Sequence, residues 1–247
     1  HRAPMLFLFA QRSSGKGTFA TSLLSLFGMP QDQIMLGGQS TVVGFMRKMS
    51  QFSNAIVWLD EYKNDIDPKK IESLKNIWDR VGYERGVKDQ SNRTQSTPIT
   101  SSAILSGQEV PNGEPALFSR TILLGFKNKQ YSADEISSFN RLRQIEQSGL
   151  TTATHTAISH RELVKKEFRA AFDEIAQMLR ANFINQEINE RQLSNYATLI
   201  AMVKVLQEPL ALPFSSIELL KLGENNITAQ AEMGATSNEV QQFFEMV

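Results

Sequence analysis

Hydrophobic and polar positions along the chain follow two regimes that change near residue 127. Up to there, short apolar runs alternate with stretches of helical period. Met5–Phe9, Asn54–Tyr62, Ile99–Ser106 and Thr121–Phe126 read as strands, with a shorter one over Gln33–Leu36. Between them, the spacing predicts helices over Thr18–Phe27 and Thr41–Phe52, and a third opening at Asp67-Pro68 and running through Ile71, Leu74, Ile77 and Trp78. Gly28 and Pro30 stop the first helix, and Pro68 suits a first helical position. Unbroken apolar runs such as Ala55–Leu59 suit strands buried on both faces of a parallel sheet.

Beyond Lys127 only helical patterns remain: Ala133–Gln147, Ser159–Phe183, Glu187–Leu206, then, after a break at Pro209–Pro213, Ser215–Leu222 and Ala229–Val247. Leu163, Phe168, Ala171/Phe172, Ile175 and Met178/Leu179 share one face, which predicts a packed helical domain. The expected organisation is therefore an α/β domain over residues 1–127 and an all-helical region over 128–247.

Chemistry enters where the first strand ends. Ala10-Gln11-Arg12-Ser13-Ser14-Gly15-Lys16-Gly17-Thr18 places a small-residue loop and a lysine between a strand and a helix start, the context of a phosphate-binding loop. In such a loop, backbone N–H groups converge on the phosphates and the helix N-terminus adds partial positive charge. Lys16 would act on the β- and γ-phosphates, with Arg12, Ser13, Ser14, Gly15, Gly17 and Thr18 around it. Two positions depart from G-x-x-x-x-G-K-[ST]: Ala10 replaces the first glycine, and Gly17 follows the lysine, delaying the hydroxyl to Thr18. The other reading is a Gly/Ser-rich turn with a solvated lysine.

The strand 54–62 ends in adjacent carboxylates at the edge where open α/β sheets bind ligands. Asp60 is the candidate Mg²⁺ ligand, with Thr18, and Glu61 the group that orients and polarises the attacking water. The plainer reading is a helix cap. At the tip of the strand 99–106, Gln108 is the candidate γ-phosphate sensor and Ser106 the reserve, and Arg120 precedes the last strand.

Gly82–Pro98 is polar and opens with glycines, which predicts a long turn or irregular hairpin. Between residues 80 and 97, Arg80, Arg85, Lys88 and Arg93 stand against only Glu84 and Asp89, so a solvated loop and a nucleic-acid-contacting loop stand equally. Lys+Arg and Asp+Glu are both 26, so any nucleic-acid contact must come from such a local patch. With 41% hydrophobic and 21% charged residues, a sizeable core is available. The absence of cysteine excludes disulfides and thiolate metal sites and suits a reducing, cytoplasmic setting. No apolar run reaches the ~18 residues of a membrane span, so no membrane partner is expected. His155 and His160 read as a loop residue and a helix-start residue rather than ligands, and Arg191 as an exposed helical arginine that could also reach nucleotide from a lid. The opening His1-Arg2 reads as an excised fragment or trimmed tag, with neighbouring domains missing.

Together, Trp58–Tyr62, Gly82–Gly86, Leu105–Glu109 and Leu117–Arg120 resemble the ATPase core of the AAA+-like superfamily 3 helicases, more narrowly the primase-helicases of phages and Bacteroidetes-type mobile elements. The resemblance spans about residues 5–126 and is looser in the helical tail. It implies a P-loop NTPase (ASCE/AAA+-like) fold, ATP and Mg²⁺, catalysis by Lys16, Glu61 and Arg120, and DNA replication on a mobile element. Arg120 would act in trans on the neighbour's ATP in a homo-oligomeric ring such as a hexamer. Arg85, Lys88 and Arg93 would meet single-stranded DNA in its channel, with a primase fused or separate. Gln108 stands where that group usually has Asn. Rival readings are a nucleotide kinase, whose loops share Gly15-Lys16-Gly17-Thr18, a nucleotide-dependent assembly switch without turnover, and a non-helicase AAA+ role such as transposition regulation.

Overall fold

The computed structural model describes residues 4–28, 34–36, 41–86, 94–111 and 113–245. The elements in order are β1 (Met5–Phe9), α1 (Lys16–Ser25), β2 (Ile34–Met35), α2 (Val42–Ser50), β3 (Ile56–Tyr62), α3 (Pro68–Asp79), β4 (Tyr83–Gly86), β5 (Thr94–Thr97), β6 (Ser102–Gly107), α4 (Pro115–Phe118), β7 (Thr121–Gly125), α5 (Ala133–Ser148), α6 (Thr151–Ser159), α7 (Arg161–Asn182), α8 (Glu190–Leu206) and α9 (Ser216–Glu245). The main sheet has the order β2-β3-β6-β1-β7, and the β1–β6, β3–β6 and β2–β3 pairings are parallel. β4 and β5 form a separate antiparallel ribbon, the hairpin expected within Gly82–Pro98. By its internal contacts the chain divides into His1–Pro111 with Gly125–Gln130, and Asn112–Leu124 with Tyr131–Val247.

In the first unit, apolar residues of the strands fill the interior. Phe7 and Leu8 of β1, Val57 and Leu59 of β3 and Ile104 and Leu105 of β6 are buried. Each such side chain stabilises the fold by about 1.5–3 kcal/mol relative to exposure. Phe7 and Tyr62 meet edge to face at 5.2 Å, tying β1 to the end of β3. Helix starts follow local chemistry: Thr41 Oγ1 accepts from Gly44 N at 3.1 Å, and Asp67 Oδ1 accepts from Lys69 N at 2.9 Å ahead of Pro68. The strand predicted from Ile99 begins at Ser102, and the first helix begins at Lys16 rather than Thr18. Both shifts reflect turns whose hydrogen bonds a hydrophobic pattern does not report.

In the second unit, α7 and α8 pack through Phe168, Ala171, Ala201 and Val205. Met178, placed on that face by the pattern, is 41% exposed, whereas Leu179 beside it is fully buried. The break expected between Leu222 and Ala229 does not occur, and α9 is continuous. A Cβ at Gly223 would lie 3.3 Å from both Ile200 and Tyr196, so the glycine allows α9 to approach α8. Close packing there outweighs the low helix propensity of Gly-Glu-Asn-Asn. His155 lies in a helix, α6, rather than a loop. The Thr-rich sequence of α6 hides its helical character, because hydroxyls such as Thr156 Oγ1 bond back to the turn before, here to Thr152 O at 2.8 Å. His160 sits at the α6–α7 junction, near the expected helix start. Among the described residues, no helix is long and apolar enough to cross a membrane.

Candidate nucleotide site

The loop between β1 and α1 folds back over its own lysine. Ser13 and Gly15 take positive φ values of 61° and 88°, which curl the chain before Lys16 opens α1. Lys16 Nζ donates to Ala10 O at 2.5 Å and to Gln11 O at 2.9 Å. Burial lowers the Lys16 pKa from its ordinary 10.5, and the negative charge of Asp60 opposes that shift. Asn128 Nδ2 donates to Arg12 O at 3.3 Å, bracing the loop from outside. Ser14 is 4% exposed, and its Oγ has no hydrogen-bond partner. The Lys16 ammonium and the N-terminus of α1 are groups that suit an anion.

The carboxylate pair owes its placement to a bulge. Leu59 pairs with Leu105 and Tyr62 with Gly107, so three steps along β3 answer two along β6. Glu61 takes up the extra residue at φ 60°, a left-handed conformation that costs a non-glycine residue about 1–2 kcal/mol. Gly107 permits the bulge, since a Cβ there would lie 2.6 Å from Tyr62 O. The bulge leaves Glu61 exposed and Asp60 half-buried, while Tyr62 turns back into the core.

Trp58, which motif reasoning did not place in this site, and Ser106, named there only as the reserve sensor, hold Asp60. Trp58 Nε1 donates to Ser106 Oγ at 2.6 Å, and Ser106 Oγ donates to Asp60 Oδ1 at 2.5 Å. Ser106, the reserve sensor candidate, is fully buried and bonded to Trp58 and Asp60, whereas Gln108 is exposed. Nothing in the strand's apolar run marked Trp58 for this role; its proximity to Gly17 comes from the fold. A Cβ at Gly17 would lie 3.3 Å from the Trp58 ring.

A cleft of about 480 Å³ gathers these groups, lined by Arg12, Lys16, Asp60, Glu61 and Gln108 among others. Lys63 and Glu109 also reach it, and Glu109 Oε2 accepts from Asn64 N at 2.8 Å. Ser13, Ser14, Gly15, Gly17 and Thr18 do not line it. Thr18 is the third residue of α1. Among the described residues, no three His, Asp or Glu side chains cluster as a metal cage. Asp60 can still serve Mg²⁺, which is commonly held by one or two carboxylates together with substrate phosphates.

The remaining candidates lie elsewhere. Lys88 and Arg93 fall outside the described residues, and Arg85 stands on β4, its backbone paired with Gln95. Arg191 is an exposed residue of α8. Arg120 belongs to the second unit, where it is 9% exposed and its Nη1 donates to Ala116 O at 2.8 Å. The backbone around it is fastened from far along the chain. Gln230 Nε2 donates to Phe118 O at 3.2 Å and Thr121 O at 3.1 Å, and Asn195 Nδ2 donates to Ser119 O at 3.1 Å.

No protein-family model matches the chain, and no curated protein matches it. Among solved structures, one described as "SCCmec type IV Cch - active helicase" matches over 100% of this chain with a TM-score of 0.71 and 14% identity. The match covers 46% of that protein, so this chain spans less than half its length. At that identity the likeness is one of architecture: an α/β sheet flanked by helices and followed by a helical region, in a helicase-like fold.

Proposed function

We propose that this chain is the ATPase module of a helicase-type DNA motor, hydrolysing ATP while it contacts single-stranded DNA. The observation that carries this reading is the convergence of Lys16, Asp60, Glu61 and Gln108 on one cleft at the strand ends of a helicase-like fold. Lys16 and the α1 N-terminus would bind the β- and γ-phosphates. Asp60 would hold Mg²⁺, which supplies positive charge against the charge that develops on the transferred phosphoryl group. Glu61, exposed on the bulge, would orient water and accept its proton as the water oxygen attacks the γ-phosphorus and ADP leaves. Gln108 would sense the γ-phosphate from the tip of β6.

The finer reading follows the sequence resemblance: a primase-helicase of a phage or mobile element, working in DNA replication as a homo-oligomeric ring. In it, Arg120 would act on the neighbouring subunit's ATP. Its burial in the single chain means that the guanidinium must leave Ala116 O to do so. Arg85, Lys88 and Arg93 would contact DNA phosphates without sequence preference, so binding should weaken steeply with salt.

Steady-state ATP hydrolysis at low salt, with and without single-stranded DNA, tests the proposal on the wild type and Glu61→Gln. DNA-stimulated turnover that Glu61→Gln abolishes is the expected result. Tight ATP binding with no turnover in either protein would favour the assembly switch. Phosphoryl transfer to a nucleotide acceptor, indifferent to DNA, would favour a kinase.

A further inference from the structure

The position after the loop lysine normally supplies a hydroxyl to the metal. Here it is Gly17, and the room a side chain would need is taken by the Trp58 ring, 3.3 Å from where a Cβ would stand. The indole that fills this room also donates to Ser106 Oγ at 2.6 Å, and Ser106 Oγ reaches Asp60 Oδ1 at 2.5 Å. The proton order in this relay follows from the chemical types. An indole N–H can only donate and an ionised carboxylate can only accept, so the single hydroxyl proton of Ser106 is committed to Asp60. Ser106 is fully buried and Trp58 is 8% exposed, so water does not compete for the bond between them, while the bond to half-buried Asp60 borders the cleft.

We propose that Ser106, held by the Trp58 indole, is the positioning residue that orients Asp60 toward the metal, in place of the hydroxyl missing at position 17. The bond to Oδ1 fixes the carboxylate rotamer and leaves Oδ2 to act toward a cation. Glycine at 17 and tryptophan at 58 then form one device: the small residue admits the ring, and the ring sets the serine. This inference rests on the nucleotide reading above and adds how the metal-bearing carboxylate is held.

The test is isothermal titration calorimetry of ADP with and without Mg²⁺, with far-UV circular dichroism as the check on folding. The wild type, Lys16→Ala, Ser106→Ala, Ser106→Thr and the double variant Ser106→Ala/Trp58→Phe are compared. The double variant removes the indole donor that Ser106→Ala alone would leave unpaired in the core. Loss of a partner behind a metal ligand typically lowers metal affinity 10–100-fold. Ser106→Ala and the double variant are therefore expected to cut the gain in ADP affinity that Mg²⁺ brings by about 10-fold, while affinity for ADP alone stays put. Ser106→Thr should restore the gain. A folded Ser106→Ala or double variant that binds ADP with the full Mg²⁺ gain would overturn this inference alone. No ADP binding by the wild type, or binding that Lys16→Ala leaves intact, would overturn the nucleotide reading and this inference with it.

Discussion

The end of β3 in the first unit and the turn at Arg120 in the second solve the same local problem in opposite ways. Each is a short irregular segment beside a strand, with backbone and side-chain polar groups that need partners. At the end of β3, a polar group is left accessible and some strain is accepted: Glu61 is exposed at φ 60°. Around Arg120 the backbone is closed off instead. Gln230 and Asn195 satisfy the carbonyls of Phe118, Ser119 and Thr121, and Gln230 Oε1 accepts from Leu123 N at 3.4 Å. The first arrangement suits a site that must gain partners from a ligand; the second suits a segment that must keep its shape without one.

That contrast can be broken most strongly at Lys16 and Glu61. Glu61→Gln removes the proton acceptor but keeps the backbone, so kcat for ATP is expected to fall by about 10²–10⁴-fold with little change in melting temperature. Steady-state kinetics beside a thermal melt would read both. The opposite pattern is expected at Gln230. Gln230→Leu removes three hydrogen bonds, although Phe118 O keeps the Thr121 hydroxyl at 2.9 Å, and urea unfolding should show a loss of about 2–4 kcal/mol. Nucleotide affinity measured in the same variant at low temperature should change far less.

A smaller effect sharpens the strain argument. Glu61→Gly relieves the left-handed conformation and should raise stability by about 1 kcal/mol while abolishing turnover. Unchanged stability would mean that the bulge carries no strain to relieve. The smallest effect lies at the start of α9, where Glu218 accepts from Ser215 N at 2.7 Å and from Ser215 Oγ at 2.8 Å. These bonds lower the Glu218 pKa from 4.5, so its contribution is present above that pH and lost as pH falls through the lowered value. Glu218→Gln should therefore melt slightly earlier than wild type near neutrality, and the gap should close in acid.

The strands and most helices were legible because burial on two faces demands unbroken apolar runs, while burial on one face demands a helical stripe. Met5–Phe9 and residues 56–59 satisfy the first demand, and Phe168 to Leu179 the second. The sequence singled out the lysine and the carboxylate pair because each stands where a strand ends, and the structure brings them to one cleft. The continuity of α9 was not, since local propensity at Gly223-Glu224-Asn225-Asn226 argues for a break and only the approach to Tyr196 and Ile200 reverses it.

What the sequence by itself determined is therefore the alternation of α/β and helical regimes and the identity of the chemical groups at the strand ends. What only the tertiary structure decided is how those groups are held. The bulge that separates Asp60 from Glu61 depends on the room at Gly107, and the Ser106 hydrogen bond to Asp60 depends on the parallel pairing of β3 with β6. Gln230 reaches the Arg120 turn across more than a hundred residues. Hydrogen bonds and close contacts between distant segments leave no period in the chain, because they are set by where the backbone returns in space rather than by what stands next in sequence.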